Sequence, residues 1–408
     1  MIRSHALVPL GLLLLLAACG GGGGGGGSGG DDPPPPASTT QVVVEVEDRE
    51  DLDELCEETG ATVKGEVPGT TYYTVELPPG VTVDEFLADL DDDVRVVDAD
   101  EDAGVEFPEG GGSTIPLFGD EAEDEVLMQV ALTRVGAPVA HLRATGLGVV
   151  VAVIDTGVDA FHPLLAGRIA PGGRDFVDGD DDPAEERNFL DDDGDGRVDE
   201  GYGHGTFVAS LVLAMAPGAR ILPIRALDTD AVGTASTVAS AISWAVSQGA
   251  VVVNLSAGLA VDLKMIKQSV ESARQAGVIV VAAAGNRASQ VDFPAMLSQT
   301  EAVTATDLFD RKASFASYGS AVDLCAPGED LLGAHPLGPN GTARWSGTSF
   351  STALVSGAFA LLRERFPGMS PEALIERLEG TAVSVDGLNP LYADRLGEGR
   401  IDVDAATE

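Results

Sequence analysis

Short, almost wholly apolar segments recur from about residue 123 onward, and they constrain the fold more than any other feature of the chain. The clearest are VVVAVI at 149–154, AVVVN at 250–254 and VIVVAA at 278–283. Helices are predicted between and after them, near residues 206–215, 235–248, 263–276 and 351–366. A strand that is apolar on both faces has to be covered on both faces. The alternation therefore predicts an α/β domain with a mostly parallel sheet between layers of helices.

Four polar residues lie at the ends of these strands or at the beginnings of these helices. Asp155 directly follows the first strand, and Asn286 ends the segment VIVVAAAGN. His204, in GYGHGTF, and Ser349, in WSGTSFS, each lie where a helix begins. Taken singly, each fits a structural role, such as a turn residue or a helix cap. Together they lie where α/β domains bind ligands, at the carboxyl ends of strands and at helix N-termini.

The order of three of these residues indicates nucleophilic catalysis. Asp155, His204 and Ser349 follow the Asp–His–Ser order of subtilisin, whereas chymotrypsin has His–Asp–Ser and the α/β-hydrolases have Ser–Asp–His. The turn GTSFS also lacks the last glycine of the hydrolase G-x-S-x-G motif, because its fifth residue is Ser351. The sequence therefore favours a triad of the subtilisin type.

Five segments resemble motifs of the subtilisin-like serine proteases (subtilases) and occur in that family's order. They are VAVIDTGVD, GHGTFVAS, VVNLSAG, AAAGN and SGTSFSTALVSG, and similarity extends over about residues 125–405. The resemblance implies a subtilisin-like catalytic domain that hydrolyses peptide bonds. Ser349 would be the nucleophile, His204 the general base and Asp155 the residue that orients it. Asn286 would then bind the oxyanion.

The same resemblance implies residues that bind the substrate. Ser256, Ala257 and Gly258 are expected to pair with an extended peptide, with Gly233 on its opposite side. Asp292 falls near the primary specificity pocket, where a carboxylate would favour basic side chains.

The chain also departs from the family's usual pattern around the catalytic residues. Phe350, Ala353 and Leu354 stand where methionine, proline and histidine are common after the nucleophile, and Phe207 replaces a second histidine. None of these positions performs the chemistry, so altered packing is expected rather than lost activity. The intact GHGT segment argues against the sedolisins, and the remaining alternative is an inactive, subtilisin-fold binding protein of the cell surface.

The first 40 residues predict export. Residues 1–18 read as a signal peptide, with an apolar run of 13 residues at 6–18 that is too short to span a bilayer. Its end, Leu-Ala-Ala-Cys, resembles a bacterial lipobox, which would make Cys19 a lipidated N-terminus. Residues 19–40, rich in glycine and proline, would then be a tether to the membrane of the cell envelope. An ordinary secretory signal with an incidental Cys19 is the alternative.

Residues 41–103 predict a small domain with the order strand, helix, strands, helix, strand, which is the ferredoxin-like order. This unit resembles the subtilase propeptide, an intramolecular inhibitor whose end lies in the active-site cleft until it is cut. A permanent binding domain is the competing interpretation. Residues 104–122 read as a linker, and residues 123–408 as the catalytic domain.

The net charge of −42 argues against a nucleic-acid-binding role, because such a surface repels phosphate backbones. Within the acidic stretch, DDDGDGRVD resembles the beginning of a calcium-binding EF-hand loop. The candidate ligands are Asp191, Asp193, Asp195 and Asp199. Tyr202 occupies the twelfth position in place of glutamate, so a solvated acidic loop is the alternative to a structural calcium ion. Cys325, in AVDLCAPG, is expected to be a small buried apolar residue.

Overall fold

The computed structural model describes residues 40–107, 115–119, 121–259, 262–338 and 340–408. The predicted signal peptide, Cys19 and almost all of the tether lie outside the described residues. Among the helices of the described ranges, none has the length and apolarity needed to cross a membrane.

The N-terminal module has the predicted element order. Its elements are β1 (Gln41–Val46), α1 (Arg49–Thr59), β2 (Thr62–Glu66), β3 (Tyr72–Glu76), α2 (Val83–Leu90) and β4 (Val96–Glu101). The four strands form a sheet in the order β2-β3-β1-β4, with antiparallel neighbours, and the module has its own apolar core. Local sequence fixes the helix ends: Asp48 caps α1, and Thr82 forms a capping box with Glu85 at the beginning of α2.

A short strand, β5 (Gly104–Glu106), follows the module. It lies in the segment that composition marks as a linker. It pairs with a strand of the following domain, as described below.

The C-terminal domain is built around one parallel sheet. Its first elements are α3 (Glu123–Met128), α4 (Val130–Arg134), α5 (Ala137–Ala140), β6 (Val150–Asp155), β7 (Arg174–Asp175), α6 (His204–Met215), β8 (Arg220–Arg225), β9 (Val232–Thr234), α7 (Ala235–Ser247) and β10 (Val252–Leu255). The remaining ones are α8 (Lys264–Gln275), β11 (Ile279–Ala283), β12 (Glu301–Thr306), β13 (Leu324–Pro327), β14 (Leu331–Ala334), β15 (Thr342–Trp345), α9 (Thr348–Arg365), α10 (Pro371–Gly380) and α11 (Val403–Thr407).

The large sheet has the strand order β13-β12-β11-β10-β6-β8-β7, and every pair of neighbours is parallel. The central strands β10 and β11 are buried along their whole length, as the apolar sequence predicts. Helix α9 packs against several of the strands and is buried over most of its length. The α/β prediction with a mostly parallel sheet is confirmed, and Cys325 is a buried free thiol within it.

Candidate active site

The carboxylate of Asp155 and the imidazole of His204 meet at the carboxyl end of β6. Their Oδ1 and Nδ1 atoms are 2.7 Å apart, and both side chains are fully buried. The same Oδ1 accepts a hydrogen bond of 2.9 Å from the N–H of Thr156, which fixes the carboxylate. This contact sets the tautomer of the ring, because the Nδ1–H is directed at the carboxylate and Nε2 is turned away from it.

Two glycines allow helix α6 to approach Asp155. Gly203, which precedes the helix, has a φ of +90°, a value that disfavours other residues. A Cβ on Gly205 would overlap the carbonyl oxygen of Gly157 and would lie 3.1 Å from the Cβ of Asp155. Gly205 is therefore required by the close contact between the helix and the loop after β6, whereas a Cβ on Gly203 would overlap the ring of His335.

Glu185 also holds the beginning of α6, a role that no sequence motif indicates. Its carboxylate accepts hydrogen bonds from the N–H of Gly203 (2.9 Å) and from the N–H of Thr206 (3.0 Å). Burial raises the pKa of Glu185 to about 7, with the charge of Asp155 adding to the effect and these hydrogen bonds opposing it. In the sequence, Glu185 is one acid among many in a loop, and nothing distinguishes it from its neighbours.

Ser349 lies in the first turn of α9, where backbone N–H groups and the helix dipole favour a negative charge. The preceding residue, Thr348, donates two hydrogen bonds of 3.0 Å from its N–H and its hydroxyl to Oδ1 of Asn286. The Thr348 hydroxyl also accepts from the N–H of Gly285 at 3.2 Å. The orientation of the Asn286 amide is thereby fixed, and its buried Nδ2 finds no acceptor among the described residues.

Aromatic rings surround the imidazole of His204. Trp345 lies 5.3 Å from it, edge to face, and Phe350 lies 5.4 Å from it. Phe207 packs on both of these rings, at 5.9 Å from Trp345 and 4.6 Å from Phe350. The two phenylalanines that depart from the family's pattern thus form one apolar cluster beneath the histidine, in agreement with the expected change in packing.

Strand β5 lies in the cleft beside His204, hydrogen-bonded on both of its edges. On one side it is antiparallel to β9, with Val105 opposite Gly233. On the other, Glu106 exchanges two hydrogen bonds with Gly258, of 3.3 and 2.8 Å. The structure therefore brings Gly233 and Gly258 to the two sides of one extended segment, as expected for residues that bind a peptide backbone.

Ser256 and Ala257 continue the same edge and are buried. The hydroxyl of Ser256 accepts a hydrogen bond of 2.9 Å from Asn254. The amide oxygen of Asn254 in turn accepts a hydrogen bond of 2.9 Å from the hydroxyl of Ser356 in α9, which connects this edge to the helix that carries Ser349.

Asp292 lies between the segments that contain Gly258 and Gly285, at the end of the cleft. Its Cβ is 3.3 Å from the position of a Cβ on Gly258, and a Cβ on Gly285 would overlap its carboxylate. Burial raises the pKa of Asp292 to about 6, and the guanidinium of Arg287, 3.9 Å away, opposes this. The carboxylate of Asp292 thus lies beside both Gly258 and Gly285.

The acidic loop brings together three of its four predicted metal ligands. Carboxylate oxygens of Asp191, Asp193 and Asp195 lie within 4.8 Å of one another. Asp199 does not join them: its carboxylate is buried, forms an ion pair of 2.9 Å with Arg187 and accepts from two backbone N–H groups. The structure therefore does not bring Asp199 into the cluster, and Arg187 and the two backbone N–H groups bind its oxygens instead.

The loop is also connected to the cleft. Asp230, which precedes β9, accepts hydrogen bonds of 2.6 and 2.7 Å from the N–H groups of Asp192 and Asp199. The pKa of Glu106 is raised by burial and, in addition, by the charges of Asp193 and Asp195, against the effect of Arg287. The acidic loop thus lies near the segment that occupies the cleft.

Comparisons with known proteins agree with this geometry. Residues 146–400 match the sequence profile of the Subtilase family. Subtilisin BL of Lederbergia lenta is 37% identical over 287 residues, which are 68% of this chain and 97% of that protein. Thermitase of Thermoactinomyces vulgaris is 36% identical over 286 residues, or 67% of this chain and 94% of that protein.

A solved structure is similar as well. The crystal structure of fervidolysin from Fervidobacterium pennivorans, described as a keratinolytic enzyme related to subtilisin, superposes with a TM-score of 0.74 at 24% identity. The match covers 90% of this chain, which spans 60% of that one. At this level of identity the likeness shows the fold.

Proposed function

The chain belongs to the subtilase family of serine endopeptidases, and on that basis we propose that Asp155, His204 and Ser349 are its catalytic triad. The observation that carries the proposal is the buried contact of 2.7 Å between Asp155 and His204. Burying a carboxylate costs free energy, and a partner that becomes positively charged during the reaction offsets that cost. An inactive binding protein of the same fold would not require this pair.

In the proposed mechanism, the Oγ of Ser349 attacks the carbonyl carbon of the scissile peptide bond. Nε2 of His204 takes the hydroxyl proton and then gives it to the leaving amine, so that an acyl-enzyme remains. Water, deprotonated by His204, next attacks the ester and releases Ser349. Asp155 remains ionised throughout, keeps the imidazole oriented and stabilises its cationic form.

The negative oxygen of each tetrahedral intermediate would be bound by Nδ2 of Asn286 and by the backbone N–H of Ser349. The Asn286 amide is already oriented by Thr348, so little reorganisation accompanies the reaction. The N-terminus of α9 adds a favourable potential at the same place.

A serine-directed fluorophosphonate tests the assignment of the nucleophile. We expect it to label the processed wild-type protein and not the Ser349→Ala variant. Ser289→Ala, which removes an exposed serine, is the matched control and should be labelled like the wild type. A correctly folded, processed protein that takes up no label would instead support the inactive binding protein.

The N-terminal module is proposed to be a removable propeptide that inhibits the enzyme in cis. Its end runs into β5, which lies along the cleft, and the next residue, Phe107, covers His204, so a substrate cannot bind in the same place. Mass spectrometry of the mature protein is the test. We expect a chain that has lost residues 41–103, whereas an active protein retaining these residues would establish a permanent domain.

The cluster of Asp191, Asp193 and Asp195 is proposed to hold a structural calcium ion, since carboxylate oxygens are the ligands that calcium prefers. Isothermal titration of calcium should detect binding that is lost in an Asp193→Asn, Asp195→Asn variant. The control, Asp181→Asn with Asp182→Asn, lowers the charge equally at two exposed acids of a neighbouring loop. Equal affinities in the two variants would exclude the site.

Export with a lipid anchor at Cys19 is the last part of the proposal. The support is the lipobox-like sequence followed by a glycine-rich tether long enough to separate a domain from a membrane surface. Metabolic labelling with a fatty acid should mark the wild type and not Cys19→Ala. Labelling of neither, with the protein in the medium, would identify an ordinary secretory signal.

A further inference from the structure

Phe107, which follows β5 in the cleft, lies directly on the catalytic imidazole. The two ring centroids are 4.8 Å apart with an angle of 67° between the planes, and only 3% of Phe107 is exposed. Its N–H donates to the carbonyl oxygen of Ala231 at 3.2 Å, so the backbone of β5 continues to this residue. Phe107 is thus held by the same antiparallel pairing that would hold a substrate.

With Phe107 in place, His204 has aromatic neighbours on three sides. Two of them, Trp345 at 5.3 Å and Phe350 at 5.4 Å, belong to the catalytic domain and flank Ser349 in the sequence. The third ring, that of Phe107, belongs to the segment that lies in the cleft. Once this segment has been removed, the substrate would have to supply an aromatic ring at this place. Aromatic pairs at these distances are favourable beyond the area that they bury.

We infer that the enzyme selects substrates with an aromatic residue that stacks on His204, two places before the scissile bond. The inference rests on the proposed function and names the class of peptide it acts on. Side chains alternate along an extended segment, so the residue after the aromatic one points away from His204. It therefore enters the side of the cleft where Gly258 and Asp292 lie, and the bond that follows it is the one presented to Ser349.

The aromatic residue acts on the chemical step as well as on binding. It covers the imidazole and excludes water from the pair of Asp155 and His204, which strengthens their attraction when the ring becomes a cation. This gain is larger in the transition state than in the ground state, so it raises kcat.

The test uses the wild-type mature enzyme and internally quenched peptides, so that no variant has to fold. The peptides have the sequence Gly-Val-Glu-X-Arg-Ser-Gly-Ser, with phenylalanine, leucine or alanine at X, and a second set replaces the arginine with alanine. In both sets we expect kcat/KM for phenylalanine to exceed that for alanine by about tenfold or more. Part of the gain should appear in kcat, and the products should show cleavage one residue after X.

The outcomes separate this inference from the proposed function. Cleavage of all peptides with equal kcat/KM, or at bonds unrelated to X, overturns the aromatic selectivity and leaves the serine endopeptidase intact. A preference for leucine or alanine over phenylalanine overturns it as well. The proposed function itself fails if no peptide is cleaved and the fluorophosphonate does not label Ser349.

Discussion

At the scale of single residues, the amide of Asn286 is the sharpest test of the proposed chemistry. Replacing it with alanine removes the Nδ2–H donor from the oxyanion. We expect kcat to fall by about 10²–10³-fold with a small change in KM, a magnitude established for a related enzyme rather than derived from this geometry. Steady-state kinetics on one peptide measures both parameters. An unchanged kcat at an unchanged melting temperature would remove Asn286 from the mechanism.

A second prediction concerns the charge of Asp292. Because burial raises its pKa to about 6, the carboxyl is neutral below that pH and negative above it. The preference for arginine over leucine at the residue before the cut should therefore increase as the pH rises from 5 to 7. At pH 7, we expect Asp292→Asn to lower kcat/KM for arginine about 10–100-fold, or about 1.4–2.7 kcal/mol.

The control for this measurement is the leucine peptide. Leucine forms no salt bridge with Asp292, so kcat/KM for this peptide should change little in Asp292→Asn. Comparing the two peptides at each pH also removes any pH dependence of the chemical step that is common to both. A ratio that does not vary with pH in the wild type would show that Asp292 does not contact the substrate.

The candidate residues that the sequence predicts lie in recognisable local motifs, whereas those that it does not reveal depend on tertiary contacts. Asp155, His204 and Ser349 stand in short motifs whose glycines and chain order carry information without any tertiary structure. Glu185 has no such local signature, because its role depends on a loop folding back onto the beginning of α6. Asp199 was assigned to a metal from spacing alone, whereas its oxygens are bound by Arg187 and by backbone N–H groups.

At the scale of elements, the contact between α6 and the loop after β6 depends on Gly205. In Gly205→Ala, the added methyl group would overlap the carbonyl oxygen of Gly157, so the helix must shift. We expect a loss of stability of about 1–3 kcal/mol. Since the shift also lengthens the contact of Asp155 with His204, kcat should fall at least tenfold. Thermal unfolding and peptide kinetics measure the two effects.

Gly380→Ala is the matched control for this substitution. Gly380 ends helix α10, and a Cβ there would meet open space, so the variant should keep its activity and lose no stability. If Gly205→Ala behaved in the same way, the close packing of α6 against the loop would not be needed for catalysis.

Elements whose apolar pattern is local were predicted within a few residues. Strands β6, β10 and β11 are examples. The acidic sequence VVDADE of strand β4 (Val96–Glu101) shows no such pattern. Strand β5 was read as part of a linker, because its three residues become a strand only by pairing with β9 and Gly258. Such tertiary pairing leaves no periodicity in the sequence.

At the scale of the whole molecule, the N-terminal module and the catalytic domain are joined by more than the cleft. Asp102, buried between them, accepts hydrogen bonds of 2.9 and 2.7 Å from the N–H and the hydroxyl of Ser236 at the beginning of α7. Lys264 of α8 forms an ion pair with Asp98. The module is thus attached to both α7 and α8 just before β5 begins, which keeps the segment in the cleft aligned with the residues that bind it.

The charge of the whole chain leads to the last prediction. With 66 acidic and 24 basic residues, like charges repel more strongly in the compact state than in the unfolded chain. Salt screens this repulsion, so the melting temperature of the Ser349→Ala precursor, which cannot digest itself, should rise by several degrees from 0.02 to 0.5 M NaCl. Tetramethylammonium chloride should act equally, because screening needs no specific site. A flat or falling melting temperature would mean that paired charges, rather than net repulsion, dominate the electrostatics of folding.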